Sequence, residues 1–374
     1  MSCAPIYCDY NAGAPIRAEA AVAVARALAE GGNASSVHSF GRRARAQIED
    51  ARETLASLLD ARAENVVFTS GATEALHLAL ACSGAASVIM SAVEHDAVFE
   101  QVQRLPLPSF IAPVDARGVL DLERLSARLS DAPKPSVVAV QLANNETGVV
   151  QPITAIAALC REHGALLLVD AAQGLSRIPI SLADLDAAYI AVSSHKIGGP
   201  PGSGALVLAP GAPFVTTRFG GGQERGRRPG TENMPAIVGF AVAAEWAVRE
   251  MPNEAARLLA IRDRFEAELP REAVVFGADA KRLPNTSNFA LPGMIAETAV
   301  IAFDLEGVAL SSGAACSSGK VRSSRVLSAM GVAPELARCA LRVSFGHESK
   351  ESETDVILAA LSKLAARRAQ GAAA

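Results

Sequence analysis

Between residues 42 and 59, apolar side chains recur at Ala44, Ile48, Ala51, Leu55 and Leu58, with arginine and glutamate filling the positions between them. Steps of three and four residues place those side chains on one stripe, which predicts an amphipathic helix with one face against a core. From Asn65 onward the pattern changes. Short β-branched or apolar runs at 66–68, 87–90, 137–142, 166–169, 188–192 and 205–208 alternate with helical stretches. Strands that are apolar on both faces, separated by helices, predict an α/β fold with a mainly parallel, helix-covered sheet.

After Trp246 the pattern predicts a long helix near 255–269, strands near 274–276, 287–291 and 341–345, and a final helix from Ser352. This reads as a smaller α+β domain. Met251-Pro252-Asn253 is the expected boundary, and residues 367–374 are expected to fray.

The chain has 374 residues, 50% of them hydrophobic and 20% charged, as expected for a soluble, enzyme-sized protein of two or three domains. A formal net charge of -4 gives no reason to expect nucleic acid or an anionic membrane as the main partner, although Arg225, Arg227 and Arg228 form a local basic cluster. Its 6 cysteines show no CxxC spacing, which argues against a zinc knuckle or a disulfide framework and for reduced thiols. The N-terminus lacks the charged and apolar regions of a secretory signal, and no apolar stretch reaches the length of a membrane span. A cytoplasmic location is expected.

His195-Lys196 follows Asp170 by 25 and 26 positions, and Asp170 closes the apolar run at 166–169. An amine that forms an imine and a buried carboxylate that keeps a pyridine nitrogen protonated are the two groups that pyridoxal-phosphate (PLP) chemistry requires. Imine formation needs the lysine pKa brought down from its ordinary value of about 10.4. Taken singly, Asp170 also fits a helix cap after a strand, and Lys196 a solvated surface lysine. In Phe68-Thr69-Ser70-Gly71-Ala72-Thr73-Glu74 a strand runs into a helix, whose first N–H groups would bind phosphate or serve as an ordinary helix start. His95 follows another strand, where it could stack on a ring, shuttle protons or be merely structural; Asn145 stands in a segment that also reads as a turn. Gln173 lies three residues past Asp170, within reach of the same ring.

Arg342 lies on an apolar strand, where it needs an anion, either an amino-acid carboxylate or an internal Asp or Glu. Cys316 stands in a segment almost wholly of small residues, Leu310 to Lys320, a composition that predicts a mobile loop carrying a nucleophilic thiol.

The ordered segments DYNAGAP, GNASSVHSFGR, FTSGATEA, EHDAV, NNETGVVQP, VDAAQ, SSHKIGGPPGSGAL, GGGQERGRRPGT, SSGAACSSGK and LRVSFG resemble the cysteine desulfurases of the NifS/IscS type, within the class V aminotransferase family. The resemblance implies fold-type I PLP architecture, with a mainly parallel seven-stranded sheet in a large domain at 13–250. A smaller α+β domain formed by 1–12 and 251–374 would carry the cysteine loop. It implies conversion of L-cysteine to L-alanine, with sulfur left as a persulfide on Cys316 and destined for iron-sulfur clusters or thio-cofactors. Lys196 would be the imine-forming lysine, Asp170 the ring-nitrogen partner, His95 the stacking group, and Gln173 and Asn145 the ring-oxygen contacts. Ala72, Thr73, Ser193 and His195 would cradle the phosphate, and Thr231 would reach the phosphate of the neighbouring subunit of a homodimer. Arg342, Asn11 and Asn145 would bind the substrate.

No resident metal, membrane or direct nucleic-acid contact is implied, only a sulfur acceptor or iron-sulfur scaffold protein, with Cys316 in transient contact with a nascent cluster. NAGAP, ATEALH and RPGT depart from the family's more usual NATTP, ATESNN and RSGT. A selenocysteine lyase, a small-substrate aminotransferase and a catalytically silent sulfur-transfer scaffold are the alternative readings.

Overall fold

The computed structural model describes residues 5–313 and 324–372. Seven strands, β1 (Val66–Thr69), β2 (Ser87–Ser91), β3 (Ser109–Ala112), β4 (Ser136–Gln141), β5 (Leu166–Asp170), β6 (Tyr189–Ser193) and β7 (Gly204–Leu208), form one sheet in the order β1-β7-β6-β5-β4-β2-β3. All neighbours are parallel except those of β7, which is antiparallel to both β1 and β6. Alternate residues feed opposite faces. Val66, Phe68, Ile89, Val169 and Val192 enter one core cluster, while Val67, Val88, Leu168 and Ala191 enter the other.

Strand β3 has no counterpart in the apolar runs of the sequence. It is the sheet edge, and only Ala112 of its four residues is buried, so its positions need not be apolar. The helix expected at 42–59 spans Ser39–Leu58 and begins three residues earlier, where the His38 ring nitrogen accepts from the Gly41 N–H.

A larger difference is the helix Met234–Ala267, which is continuous for 34 residues and roughly 50 Å. It contains Pro252, so the expected boundary at Met251-Pro252-Asn253 falls inside it. Its first half, through Ala247, packs on the large sheet. Its second half sends Leu258, Ile261 and Phe265 into a separate cluster with Phe289, Phe303, Leu341 and Phe345. That cluster backs an antiparallel sheet of β8 (Val274–Val275), β9 (Thr286–Ala290), β10 (Ser311–Ser312) and β11 (Ala340–Ser344), in the order β10-β11-β9-β8. The N-terminal segment joins this region: Ile6–Tyr7 pairs in parallel with Val308–Ala309, and Asp9 bridges to Ser344. No described helix is long and apolar enough to cross a membrane.

One buried ion pair ties the loop before the long helix to the sheet. Arg52 Nη1 and Nη2 donate to the two oxygens of Glu224 at 2.7 and 2.9 Å, and Glu224 also accepts the Phe68 N–H of β1 at 2.8 Å. Glu224 and Arg225 hold φ values of 46° and 57°, a left-handed backbone that these contacts must stabilise. Removing Glu224 would leave the buried Arg52 with only the longer carboxylate contact, to the more exposed Glu49 at 3.3 Å, and would unpair the Phe68 N–H. Glu224→Ala is expected to cost about 3–5 kcal/mol, read as a lower urea midpoint at unchanged slope.

Candidate active site

The C-terminal ends of β4, β5 and β6 bring Gln141, Asp170 and Ser193 to one edge of the sheet, where ligands of such sheets bind. A cavity of about 450 Å³ opens there, lined by Ala72, Thr73, His95, Asn145, Asp170, Gln173, Ser193, His195 and Lys196. These are nine of the residues singled out from the sequence. Asn11 and Arg342 sit immediately behind them, both donating to the Asn145 carbonyl oxygen, at 3.1 and 2.9 Å. Thr231 is exposed and does not line the cavity. Cys316 lies outside the described residues.

The Lys196 amine donates to the carbonyl oxygens of Asn11 at 2.5 Å and Ala12 at 2.9 Å. Burial, helped by the charges of Arg342 and Arg177, brings its pKa down to about 8. Burial raises the Asp170 pKa, against the Ala172 N–H at 2.9 Å and the nearby His95 and Lys196, which favour the carboxylate. His195 is pushed down to about 4 by burial and by Lys196, so its ring is neutral at pH 7; its Nδ1 lies 3.0 Å from the Ser193 hydroxyl. His95 Nδ1 accepts the Ala97 N–H at 3.0 Å, which caps the helix Asp96–Val102 and assigns the proton of a neutral ring to Nε2.

Of the two anions the sequence allowed for Arg342, the structure shows the internal one. Its Nη2 pairs with Asp9 Oδ1 at 2.6 Å, while its buried Nε has no partner among the described residues.

Three buried groups escaped the sequence reading. Arg177 donates to Gln173 and to the Tyr10 carbonyl. Glu94 accepts the Gln141 N–H at 2.8 Å, and burial raises its pKa well above the usual range. Glu146 accepts the Ser324 hydroxyl at 2.6 Å, and burial pushes it up to about 7. The available signal was a charged residue beside small or apolar ones, which is weak because most such residues are solvated.

The cavity fits a PLP-sized group at three points. The helix Ala72–Cys82 begins at Gly71 without a side-chain cap, leaving its N-terminus open to a phosphate. A Cβ at Gly204 would lie 2.6 Å from the Gly71 Cα and 2.7 Å from the Val192 carbonyl oxygen, so the turn is built around a bare glycine. A buried carboxyl and an amine of lowered pKa line the same space. The family model for class V aminotransferases matches residues 6–357.

The chain belongs to the class V aminotransferase family. Within it, the chain falls among the cysteine desulfurases, a family whose chemistry implies PLP. A protein named cysteine desulfurase from Bradyrhizobium diazoefficiens is 38% identical, covering 97% of this chain and 95% of that protein. The cysteine desulfurase IscS of Dictyoglomus turgidum is 35% identical, covering 96% and 94%. Among solved structures, a NifS-like protein from Rickettsia africae superposes with a TM-score of 0.90 at 29% identity, covering 96% of this chain and 99% of that one.

Two of the departures from the usual family wording touch this site. Leu76 of ATEALH lines the cavity, and Ala14 of NAGAP donates its N–H to the His195 carbonyl at 2.8 Å. Gly204→Ala would force β7 and the helix start apart. It is expected to cost about 1–3 kcal/mol, measured by denaturant unfolding, and to weaken PLP retention in dialysis.

Proposed function

We propose that this cysteine desulfurase converts L-cysteine to L-alanine, leaves the sulfur on Cys316 as a persulfide, and supplies it for iron-sulfur cluster or thio-cofactor synthesis. The observation that carries the reading is the Lys196 amine, brought down to about 8, in one cavity with the Asp170 carboxyl and the open helix start at Ala72. PLP, when bound, supplies an electron sink for the charge left on the substrate α-carbon.

Lys196 would hold that group, and Asp170 would face its ring nitrogen, where a ring N–H offsets the burial that raises the carboxyl pKa. His95 would cover the ring face, and Asn145 and Gln173 would meet the ring oxygen. Ala72, Thr73, Ser193 and His195 would hold the phosphate. Arg342, with its unpaired Nε, would receive the substrate carboxylate next to Asn11 and Asn145.

Once free, Lys196 Nζ takes the α-proton. The Cys316 thiolate attacks the substrate sulfur, the carbon–sulfur bond breaks with its electron pair going to the β-carbon, that carbon takes a proton from solvent, and the α-carbon regains the proton held on Lys196 Nζ to give alanine. A reductant or acceptor protein then removes the sulfur. The exposed Thr231 suits a homodimer in which it reaches the partner's phosphate, and a cytoplasmic setting suits the reduced thiols.

With L-cysteine and a reductant, Lys196→Ala is expected to lower alanine release by about 10²–10⁴-fold, and Cys316→Ala to abolish sulfide release. Alanine production independent of Lys196 would overturn the reading. Retained turnover of selenocysteine, but not of cysteine, by Cys316→Ala would favour a selenocysteine lyase.

Below its pKa the Lys196 amine carries a proton and cannot accept another. The rate of α-proton removal, followed as hydrogen exchange into solvent, is therefore expected to rise with pH and level off above about 8.

A further inference from the structure

Arg177 is a buried guanidinium whose hydrogen bonds end on uncharged oxygens. Nη1 donates to the Gln173 carbonyl at 2.8 Å and to Gln173 Oε1 at 2.5 Å, and Nη2 donates to the Tyr10 carbonyl at 3.3 Å. Other buried arginines in the described residues have carboxylates: Arg52 meets Glu224, Arg342 meets Asp9 and Arg17 meets Glu250. Burial, with the charge of Arg342 adding to it, brings the Arg177 pKa down to about 9. A cation so placed is costly to the fold, and its contacts indicate what it does.

They lead to Lys196. With Gln173 Oε1 held by Arg177, Gln173 Nε2 faces the other way and donates to the Asn11 carbonyl at 2.9 Å. That same oxygen accepts from the Lys196 amine. Tyr10, pinned by the second arm of Arg177, belongs to the turn in which the Ala12 and Gly13 N–H groups donate to the Asp9 carbonyl at 2.9 and 3.3 Å. Arg177 and Lys196 also face a common void of about 30 Å³, with Tyr10 and His347 in its wall, which is room for about one water. The other charged groups acting on the amine are Arg342, Asp170 and Asp9, and the amine in turn acts on His195.

We propose that Arg177 is a positioning residue for Lys196: it sets the Gln173 amide and the Tyr10 carbonyl so that the Asn11 and Ala12 oxygens meet the amine, and it places an uncompensated positive charge behind that amine. The proposal rests on the reading of Lys196 as the reactive amine and names what tunes it.

The test uses the full-length chain with bound PLP stripped off, following Lys196 modification by reductive methylation and mass spectrometry across pH. Wild-type half-modification is expected near pH 8. In Arg177→Gln it moves upward, towards the ordinary lysine range. Arg177→Lys keeps the charge and holds that midpoint, but it loses one arm, so amide exchange at Ala12 and Gly13 speeds up on the order of tenfold. A wild-type midpoint in folded Arg177→Gln, or unchanged exchange at Ala12 and Gly13 in Arg177→Lys, overturns the proposal, and the lysine variant keeps the test available if the neutral one does not fold. PLP uptake by wild type, scored separately by its absorbance, shows whether the underlying reading has failed instead.

Discussion

Buried positive charge gathered on one short turn governs this site. Lys196 donates to the carbonyls of Asn11 and Ala12, Arg177 to that of Tyr10, and Arg342 to the carboxylate of Asp9. Three cations thus meet four consecutive residues that bring only one carboxylate. Backbone carbonyl dipoles offset part of the desolvation, and the rest leaves a potential that favours anions. Burial, with that potential added to it, brings the Lys196 pKa down to about 8, and the same potential suits an anionic ligand.

The acidic side of the cavity is arranged differently. Asp170 and Glu94 are both buried, and Glu94 reaches the N–H of Gln141, which stands beside Asp170 in the sheet register. Two ionised carboxylates so close in a dry setting would repel one another, and burial and that neighbour both drive Glu94 towards its neutral form. Of the two, Asp170 keeps neighbours that favour its charged form, the Ala172 N–H, His95 and Lys196.

Much of this was legible in the sequence because side chains carry it. Asp170 ends an apolar run, Lys196 opens a glycine-rich loop, and Ala72 and Thr73 begin a helix directly after a strand; the structure lines one cavity with all four. Asn11 contributes at least as much through its backbone oxygen, which any residue could supply, so composition and motif spacing cannot reveal that role. Strand β3 escaped because an edge strand needs no apolar run. The helix Met234–Ala267 was cut short because Pro252 reads locally as a stop, whereas burial at both ends of the helix carries it through.

The segment around Ile6–Ala12 is joined to partners very distant in sequence. Val308–Ala309, Arg342 and Ser344 hold it from one side, each more than 300 residues away along the chain, and Gln173, Arg177 and Lys196 hold it from the other. Until those distant strands are in place, the turn whose Asn11 and Ala12 carbonyls receive the Lys196 amine is held from one side alone. Closing so long a loop is slow. Seating of the reactive amine is in this way tied to one of the longest-range closures in the fold.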